Sequence, residues 1–228
     1  MEEIVEALIF AGGKGERLRP LTHNTPKVLV EVHGVPILSR QTTWLRKHGV
    51  RRVVIACGYL SEKIDEYVRS NDLGVEVELS VEPRRLGTGG ALNLALGRLL
   101  GDTFFVLNGD IISAMDLTEI GRYHREKAKT ATIVVVPFIS PYGIVTHSDG
   151  VLKEFKEKPA LPYWVNAGIY VIDRRIEPLL PAEGSLEADV FSKMSGDIAV
   201  YESRDVWIPI DTVKDLREAE AFLSRAEI

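Results

Sequence analysis

Cysteine is nearly absent from this chain: Cys57 stands alone among 228 residues. A single thiol excludes an intramolecular disulfide and any Cys-x-x-Cys redox or metal site, and it makes a reducing cytoplasm the natural setting. Its position at the end of the run Val53-Val54-Ile55-Ala56 assigns it to core packing. Long apolar runs are missing as well. None approaches the roughly 20 residues that span a bilayer, and the start, Met1-Glu2-Glu3-Ile4-Val5-Glu6, is acidic where a signal peptide is basic. The expectation is a soluble, unexported protein with no membrane partner. Positive charge is not in excess either: 28 Lys and Arg against 33 Asp and Glu leave a formal net charge of −5. The basic residues are also dispersed, which argues against a nucleic-acid partner. The five histidines, His23, His33, His48, His124 and His147, show no metal-ligand spacing. No repeat, low-complexity segment or linker interrupts the chain, so residues 1–228 parse as one domain, and the sequence leaves room for a homo-oligomer.

What is present is a glycine loop. The apolar run Ala7-Leu8-Ile9-Phe10 leads directly into Ala11-Gly12-Gly13-Lys14-Gly15-Glu16-Arg17-Leu18, with Pro26-Lys27 downstream. Glycines after a strand let backbone N–H groups converge on an anion, and Lys14, Arg17 and Lys27 bring positive charge, so the expected guest is a nucleoside triphosphate. It is not a Walker A loop, because Gly13-Lys14 is followed by Gly15 rather than Ser or Thr. Nor is it a dinucleotide fingerprint, since Leu18-Arg19-Pro20-Leu21-Thr22 lacks the third glycine and a clean helical start.

Through the first half, strand-like runs (4–11, 53–57, 75–81 and 104–108) alternate with segments of helical spacing (37–48, 61–70 and 90–100). That alternation predicts right-handed crossovers and a parallel sheet, in an α/β, three-layer, doubly wound, Rossmann-like arrangement. Ser61 reads as an N-cap, and Asp116 with Glu119 as a capping box opening a helix to about Lys127. In the second half, runs at 132–137, 143–146, 151–155 and 167–171 are too close together for helical crossovers and predict antiparallel additions, giving a mixed sheet. Helices are expected over 187–194 and 213–225, the latter with a Thr212/Asp215 capping box.

Ligands of open α/β sheets bind at the carboxyl ends of the strands. The glycine loop follows the first strand, Glu82-Pro83-Arg84-Arg85-Leu86-Gly87-Thr88-Gly89-Gly90 the third, and Asn108-Gly109-Asp110 the fourth. These ends define one pocket, and Asp110 is placed to hold Mg²⁺ against phosphate oxygens, the donors a hard cation requires.

The glycine loop, Glu82-Pro83 with Leu86-Gly87-Thr88-Gly89-Gly90-Ala91, Asn108-Gly109-Asp110, Tyr142-Gly143, Phe155-Lys156-Glu157-Lys158-Pro159 and Asn166-Ala167-Gly168-Ile169-Tyr170 together resemble the sugar-1-phosphate nucleotidylyltransferases. The ordered set spans most of the chain. The resemblance implies the nucleotide-diphospho-sugar transferase fold and a Mg²⁺-dependent reaction in which a nucleoside triphosphate and a sugar 1-phosphate give a nucleotide sugar and pyrophosphate. It implies nucleotide binding by Ala11, Gly12, Gly13, Gly15, Glu82, Gly87 and Thr88, and catalytic roles for Arg17, Lys27 and Asp110. Arg17 would neutralise the leaving pyrophosphate and Lys27 contact the reacting phosphates. Glu157 would bind sugar hydroxyls and Lys158 the sugar phosphate, with Gly143 and Asn166 lining the acceptor site. Several relatives carry a carboxy-terminal left-handed β-helix, and the sequence shows no such repeat before its last residue.

One motif departs from the pattern. The family's Trp-x-Asp-Ile/Val-Gly-Thr-Pro-Glu-Asp-Leu is here Trp207-Ile208-Pro209-Ile210-Asp211-Thr212-Val213-Lys214-Asp215-Leu216, with proline where the second metal-binding aspartate is expected. Asp211 is similar to the acidic residue of some cytidylyltransferase relatives and inherits the metal role, although an acidic residue before a helix is also favoured by the helix dipole. Glu82-Pro83 and Leu86-Gly87-Thr88-Gly89-Gly90 look most like guanylyltransferases for mannose or heptose 1-phosphates, so GTP and mannose 1-phosphate are the expected substrates. Thymidylyl-, uridylyl- and cytidylyltransferases are the alternatives within the family. A silent nucleotide-sugar-binding regulatory subunit has no use for the whole set Arg17, Lys27, Asp110 and Lys158, and a metal-dependent glycosyltransferase would need Asp-x-Asp where Asn108-Gly109-Asp110 stands.

Overall fold

The computed structural model describes residues 3–224. The chain runs β1 (Glu6–Phe10), a short ribbon of β2 (Glu31–Val32) and β3 (Val35–Pro36), α1 (Ile37–Lys47), β4 (Arg52–Cys57), α2 (Ser61–Ser70), β5 (Glu76–Val81) and α3 (Gly87–Ala95). It continues through β6 (Thr103–Asn108), β7 (Ile111–Ser113), α4 (Leu117–Lys127), β8 (Ala131–Ile139), β9 (Ile144–Ser148), β10 (Val151–Lys156), β11 (Ala160–Asp173), β12 (Ile198–Glu202), β13 (Trp207–Pro209) and α5 (Val213–Leu223).

Seven strands form one mixed sheet in the order β12-β8-β11-β6-β1-β4-β5. β1 pairs in parallel with both β4 and β6, Leu8 lying between Val54 and Val106, and β4 pairs in parallel with β5. β1, β4 and β6 read as nearly unbroken apolar runs because both faces are covered, whereas β5, at the sheet edge, alternates polar and apolar residues. Period-2 alternation sends Ala7, Ile9, Val53, Ile55, Phe105 and Leu107 to one face, packed with Leu38, Leu45, Ile64, Leu117 and Ile120 of α1, α2 and α4. Leu8, Val54, Ala56, Phe104 and Val106 face the other way, against Ala91, Leu92 and Ala95 of α3 and Leu186, Val190 and Phe191. Each fully buried Leu, Ile or Phe in these layers contributes about 1.5–3 kcal/mol.

The expected fold class is therefore what the chain adopts, with local differences. Leu60, in left-handed backbone (φ 54°), takes the N-cap position of α2, and Ser61 is its first residue without a side-chain cap. Asp116 does cap α4, accepting from the N–H groups of Thr118 and Glu119, but the Glu119 carboxylate turns to Arg122 and does not complete the expected capping box, whereas the Thr212/Asp215 capping box is present. The expected helix end at Arg225 lies outside the described residues. β11 and β8 are antiparallel additions beside β6, but β9 and β10 leave the main sheet as their own exposed hairpin. β12, parallel to β8, has no counterpart among the expected strands because Ala199 is its one buried side chain. The expected helix at 187–194 is a π-type turn, Leu186–Val190, followed by a 3-10 turn, Phe191–Lys193. There Glu187 is drawn to Thr88 and Tyr170.

Chain order supplies the placement of the site. From β1 the chain builds outward to β4 and β5, then returns to lay β6 on the other side of β1. The β1/β6 boundary is thus a topological switch point, where loops diverge and leave a crevice at the strands' carboxyl ends. The glycine loop and Asn108-Gly109-Asp110 flank it.

Candidate active site

The crevice is a cleft of about 600 Å³ lined by Gly12, Gly13, Lys14, Gly15, Glu16, Arg17, Lys27, Glu82, Arg84, Arg85, Asp110 and Asp211, together with Gly58, Tyr59 and Pro83. Gly15 has φ +60°, and a Cβ there would press on Thr22 and Lys27, so glycine is required where the loop turns toward Lys27. The Thr22 hydroxyl ties the loop down by donating to the Gly15 carbonyl at 2.7 Å.

At the mouth of this loop the Lys27 ammonium lies 2.6 Å from Asp110 Oδ2 and 2.9 Å from Asp211 Oδ1, and Arg17 reaches the same Asp211 oxygen at 2.9 Å. Lys27 is held in a 3-10 turn after Pro26, its side chain only 13% exposed. Asp110 sits on a turn whose Gly109 N–H donates to the Phe10 carbonyl at 2.9 Å, and a Cβ at Gly109 would collide with that carbonyl and with Val28. The Asp110 carbonyl accepts the Ile210 N–H at 2.8 Å, which brings the Asp211 segment alongside. Beneath them Leu18, Val30, Ile112 and Ile210, close in sequence to Arg17, Lys27, Asp110 and Asp211 respectively, pack with Ile37 and with Leu216 and Ala219 of α5. Four charged residues distant in sequence converge because their apolar neighbours share one small core.

Two carboxylates meeting one cation fit a divalent ion that takes its remaining ligands from phosphates and water. Among the described residues no cluster of three or more His, Cys, Asp or Glu side chains forms an all-protein metal cage. Asp110 and Asp211 are the two carboxylates that could hold such an ion.

Glu82, at the end of β5, reaches back under the glycine loop: a Cβ on Gly12 would strike its Oε1, while Oε2 accepts the Leu86 N–H at 2.8 Å. Burial pushes its carboxyl above the usual range, partly offset by that N–H and by Arg85. Gly87 and Thr88 open α3 but do not line the cleft; Gly87 (φ +74°) lies against the Gly184 backbone, and the Thr88 hydroxyl donates to Glu187 at 2.8 Å and accepts the Leu186 N–H. Ala11 is buried at the end of β1, its N–H on the Ala56 carbonyl.

The acceptor residues lie farther along the antiparallel strands. Gly143 stands at the foot of the β9–β10 hairpin, where a Cβ would run into Phe155 and come within 3.0 Å of Glu157 Oε2. Glu157 and Lys158 are exposed on the turn into β11, Lys158 in left-handed backbone (φ 44°). Asn166 donates to the Tyr170 hydroxyl at 2.7 Å, and Tyr170 donates to Glu187 at 2.9 Å. Burial and the Glu187 charge push the Tyr170 phenol well above its ordinary value, so it stays a donor. Sequence reading missed Glu187 and the Gly58-Tyr59 corner. The latter was detectable as the carboxyl end of β4, and Tyr59 donates to the His23 carbonyl at 3.0 Å. Cys57 is buried, its thiol pushed up to about 12, in keeping with a packing role.

The architecture and the cleft define an α/β protein of the nucleotide-diphospho-sugar transferase fold. It superposes on HddC from Yersinia pseudotuberculosis complexed with GMP-PN with a TM-score of 0.80 at 24% identity, over 96% of this chain and 100% of that one. A putative glucose-1-phosphate thymidylyltransferase from Bacillus anthracis in complex with a sucrose gives 0.77 at 22% identity, over 98% and 96%. The family profile described as Nucleotidyl transferase matches residues 6–225, and the chain belongs to that family. It is 38% identical to mannose-1-phosphate guanylyltransferase catalytic subunit beta of Danio rerio, over 92% of this chain and 62% of the relative. To probable mannose-1-phosphate guanylyltransferase 3 of Oryza sativa subsp. japonica it is 36% identical, over 93% and 64%. The chain thus spans less than two thirds of the length of these relatives. Among the described residues no helix is long and apolar enough to cross a membrane.

Proposed function

We propose that this chain is a Mg²⁺-dependent sugar-1-phosphate nucleotidylyltransferase that converts GTP and mannose 1-phosphate to GDP-mannose and pyrophosphate. The observation that carries the reading is the meeting of Lys27 with Asp110 and Asp211, with Arg17 beside them, at the mouth of the glycine loop. In the reaction a phosphate oxygen of the sugar phosphate attacks the α-phosphorus, the α–β anhydride bond breaks, and pyrophosphate leaves with the bonding pair. The attacking phosphate is already ionised, so neither a base nor a covalent protein nucleophile is required. Two polyanions repel, and Lys27 and Arg17 offset that repulsion and the charge that grows on the leaving group. Asp110 and Asp211 would hold Mg²⁺, which when bound supplies Lewis-acid neutralisation of phosphate oxygens. Lys158, Glu157, Gly143 and Asn166 would receive the sugar phosphate.

Glu82 supports the choice of base. A carboxylate in the cleft accepts the two adjacent donors of guanine's Watson–Crick edge, whereas uracil and thymine present one donor there and cytosine an amino group beside an acceptor. The Danio rerio and Oryza sativa relatives, both named as mannose-1-phosphate guanylyltransferases, support GTP and mannose 1-phosphate. Cytoplasmic residence accords with the lone buried Cys57. A matrix of nucleoside triphosphates against sugar 1-phosphates, read as Mg²⁺-dependent pyrophosphate release, tests the reading. Turnover should be fastest with GTP and mannose 1-phosphate. Faster turnover with another pair reassigns the substrates, and nucleotide-sugar binding without turnover in any pair overturns the enzymatic reading.

A further inference from the structure

We propose that Gln41 is a positioning residue for Asp110: from α1 its amide clamps both ends of the turn that presents the carboxylate. The proposal rests on Asp110 being a metal-binding carboxylate. Gln41 is 1% exposed, and its Nε2 donates to the Asn108 carbonyl at 2.8 Å and to the Ile111 carbonyl at 3.0 Å. Those residues bracket Gly109-Asp110, so one amide spans the turn from the last residue of β6 to the first of β7.

Both N–H bonds are spent on these carbonyls, and Oε1 is left buried with no partner. The reversed amide would set oxygen against two carbonyl oxygens, so the orientation is determined. Packing alone does not account for a buried amide with an unpaired oxygen, because an unbranched apolar side chain would fill the same space without an orphaned group. What the amide adds is a set separation between the two ends of the turn. The other restraints, Gly109 N–H to Phe10 and Ile210 N–H to the Asp110 carbonyl, tie the turn to β1 and to the Asp211 segment. Gln41 ties it to the helical layer, and the carboxylate direction follows from all three. Trp44 supplies an internal control. On the same helix, three residues on, its Nε1 donates to the Met115 carbonyl at 2.9 Å, a bond of the same kind made beyond β7.

The test uses the full chain, with Mn²⁺ alone as the probe and binding followed by the free-ion electron paramagnetic resonance signal. Gln41→Met keeps length and shape but removes both donors. It should weaken Mn²⁺ binding about 10-fold and lower turnover by a similar factor, while the KM for sugar 1-phosphate stays at the wild-type value. Trp44→Phe should lower Tm yet leave Mn²⁺ binding and turnover unchanged. Wild-type Mn²⁺ affinity in folded Gln41→Met overturns the proposal, as does an equal loss of affinity in Trp44→Phe, which would make the effect one of general stability. Should Gln41→Met not fold, Gln41→Asn is measured in its place. Its amide is one methylene too short to reach both carbonyls, so its Mn²⁺ affinity must fall, and an unchanged value overturns the proposal equally. Asp110→Asn separates the two levels. If it too binds Mn²⁺ like wild type, the metal reading of Asp110 has failed; if it loses the ion while Gln41→Met retains it, the clamp alone has failed.

Discussion

Lys27 Nζ lies 2.6 Å from Asp110 Oδ2, an ion pair between residues 83 apart in sequence that closes the mouth of the glycine loop. The ammonium has little solvent around it and two carboxylates in front of it, so its charge is directed at the place where phosphates would react. Lys27→Ala should lower turnover about 10²-fold or more, the loss that follows removal of a donor aimed at developing charge. It should also strip Asp110 of its ammonium partner and leave only Arg17 on the neighbouring Asp211, so the variant's Tm should rise more on adding Mg²⁺ than that of wild type. Pyrophosphate release and thermal melts with and without Mg²⁺ check both effects, and wild-type turnover in the folded variant would remove Lys27 from the mechanism.

Asp211 stands where the family motif has glycine, yet it meets the same ammonium as Asp110. Its backbone N–H also donates to Asp215 at 3.1 Å, a helix-entry bond that Asp211→Asn leaves intact. Asp211→Asn and Asp110→Asn should therefore both fold, and each should lose turnover by about 10²-fold across a Mg²⁺ titration. Unchanged turnover in Asp211→Asn would reduce it to a partner of Arg17 and Lys27.

Lys158 and Glu157 sit on an exposed turn away from the glycine loop. Lys158→Ala should raise the KM for sugar 1-phosphate roughly 10-fold or more, while the KM for the triphosphate changes little, because loss of a charged hydrogen bond costs about 1.5–3 kcal/mol. Titrating each substrate separately decides the point, and an effect confined to the triphosphate would place this turn on the nucleotide.

Glu82, the residue proposed to read the base, also bears on stability through its ionisation. Its carboxyl is raised by burial, so the fold favours the protonated form. The stabilisation is then fully present below the ordinary glutamate pKa of about 4.3 and is lost as pH rises through the elevated value. Glutamine does not ionise and keeps the oxygen that accepts from Leu86. Relative to wild type, Glu82→Gln should gain Tm as pH is raised from 4 to 7.5, and its KM for GTP should rise roughly 10-fold as an acceptor is replaced by a donor. A Tm difference that moves the other way with pH would show that Glu82 is better accommodated ionised.

The parallel half of the fold was legible because its signals are local. β1, β4 and β6 are short, mostly apolar runs bounded by turn residues, β5 alternates polar and apolar residues, and α1 and α2 lie almost where helical spacing put them. Capping at Asp116 and Thr212 was readable for the same reason, since the residues that satisfy the first N–H groups of a helix lie within one turn of its start. β12 escaped notice because one buried alanine leaves no alternation to detect; β9 and β10 were expected as strands, but nothing in their nearly all-exposed side chains showed that they leave the main sheet.

Residue types at the strand ends were enough to indicate a phosphate loop and Asp110 as a candidate metal carboxylate, because glycine and charge there have direct chemical meaning, whereas Asp211 and the acceptor turn came only from the family resemblance. Tertiary structure alone decided that Arg17 meets Asp211 from 194 residues away, that Thr88 turns to Glu187, and that Gln41 braces the Asp110 turn. Such contacts depend on which apolar neighbours share a core: Leu18, Val30, Ile112 and Ile210 pack together and carry their charged neighbours with them. Burial of that kind is a property of the folded chain, with no local pattern that records it.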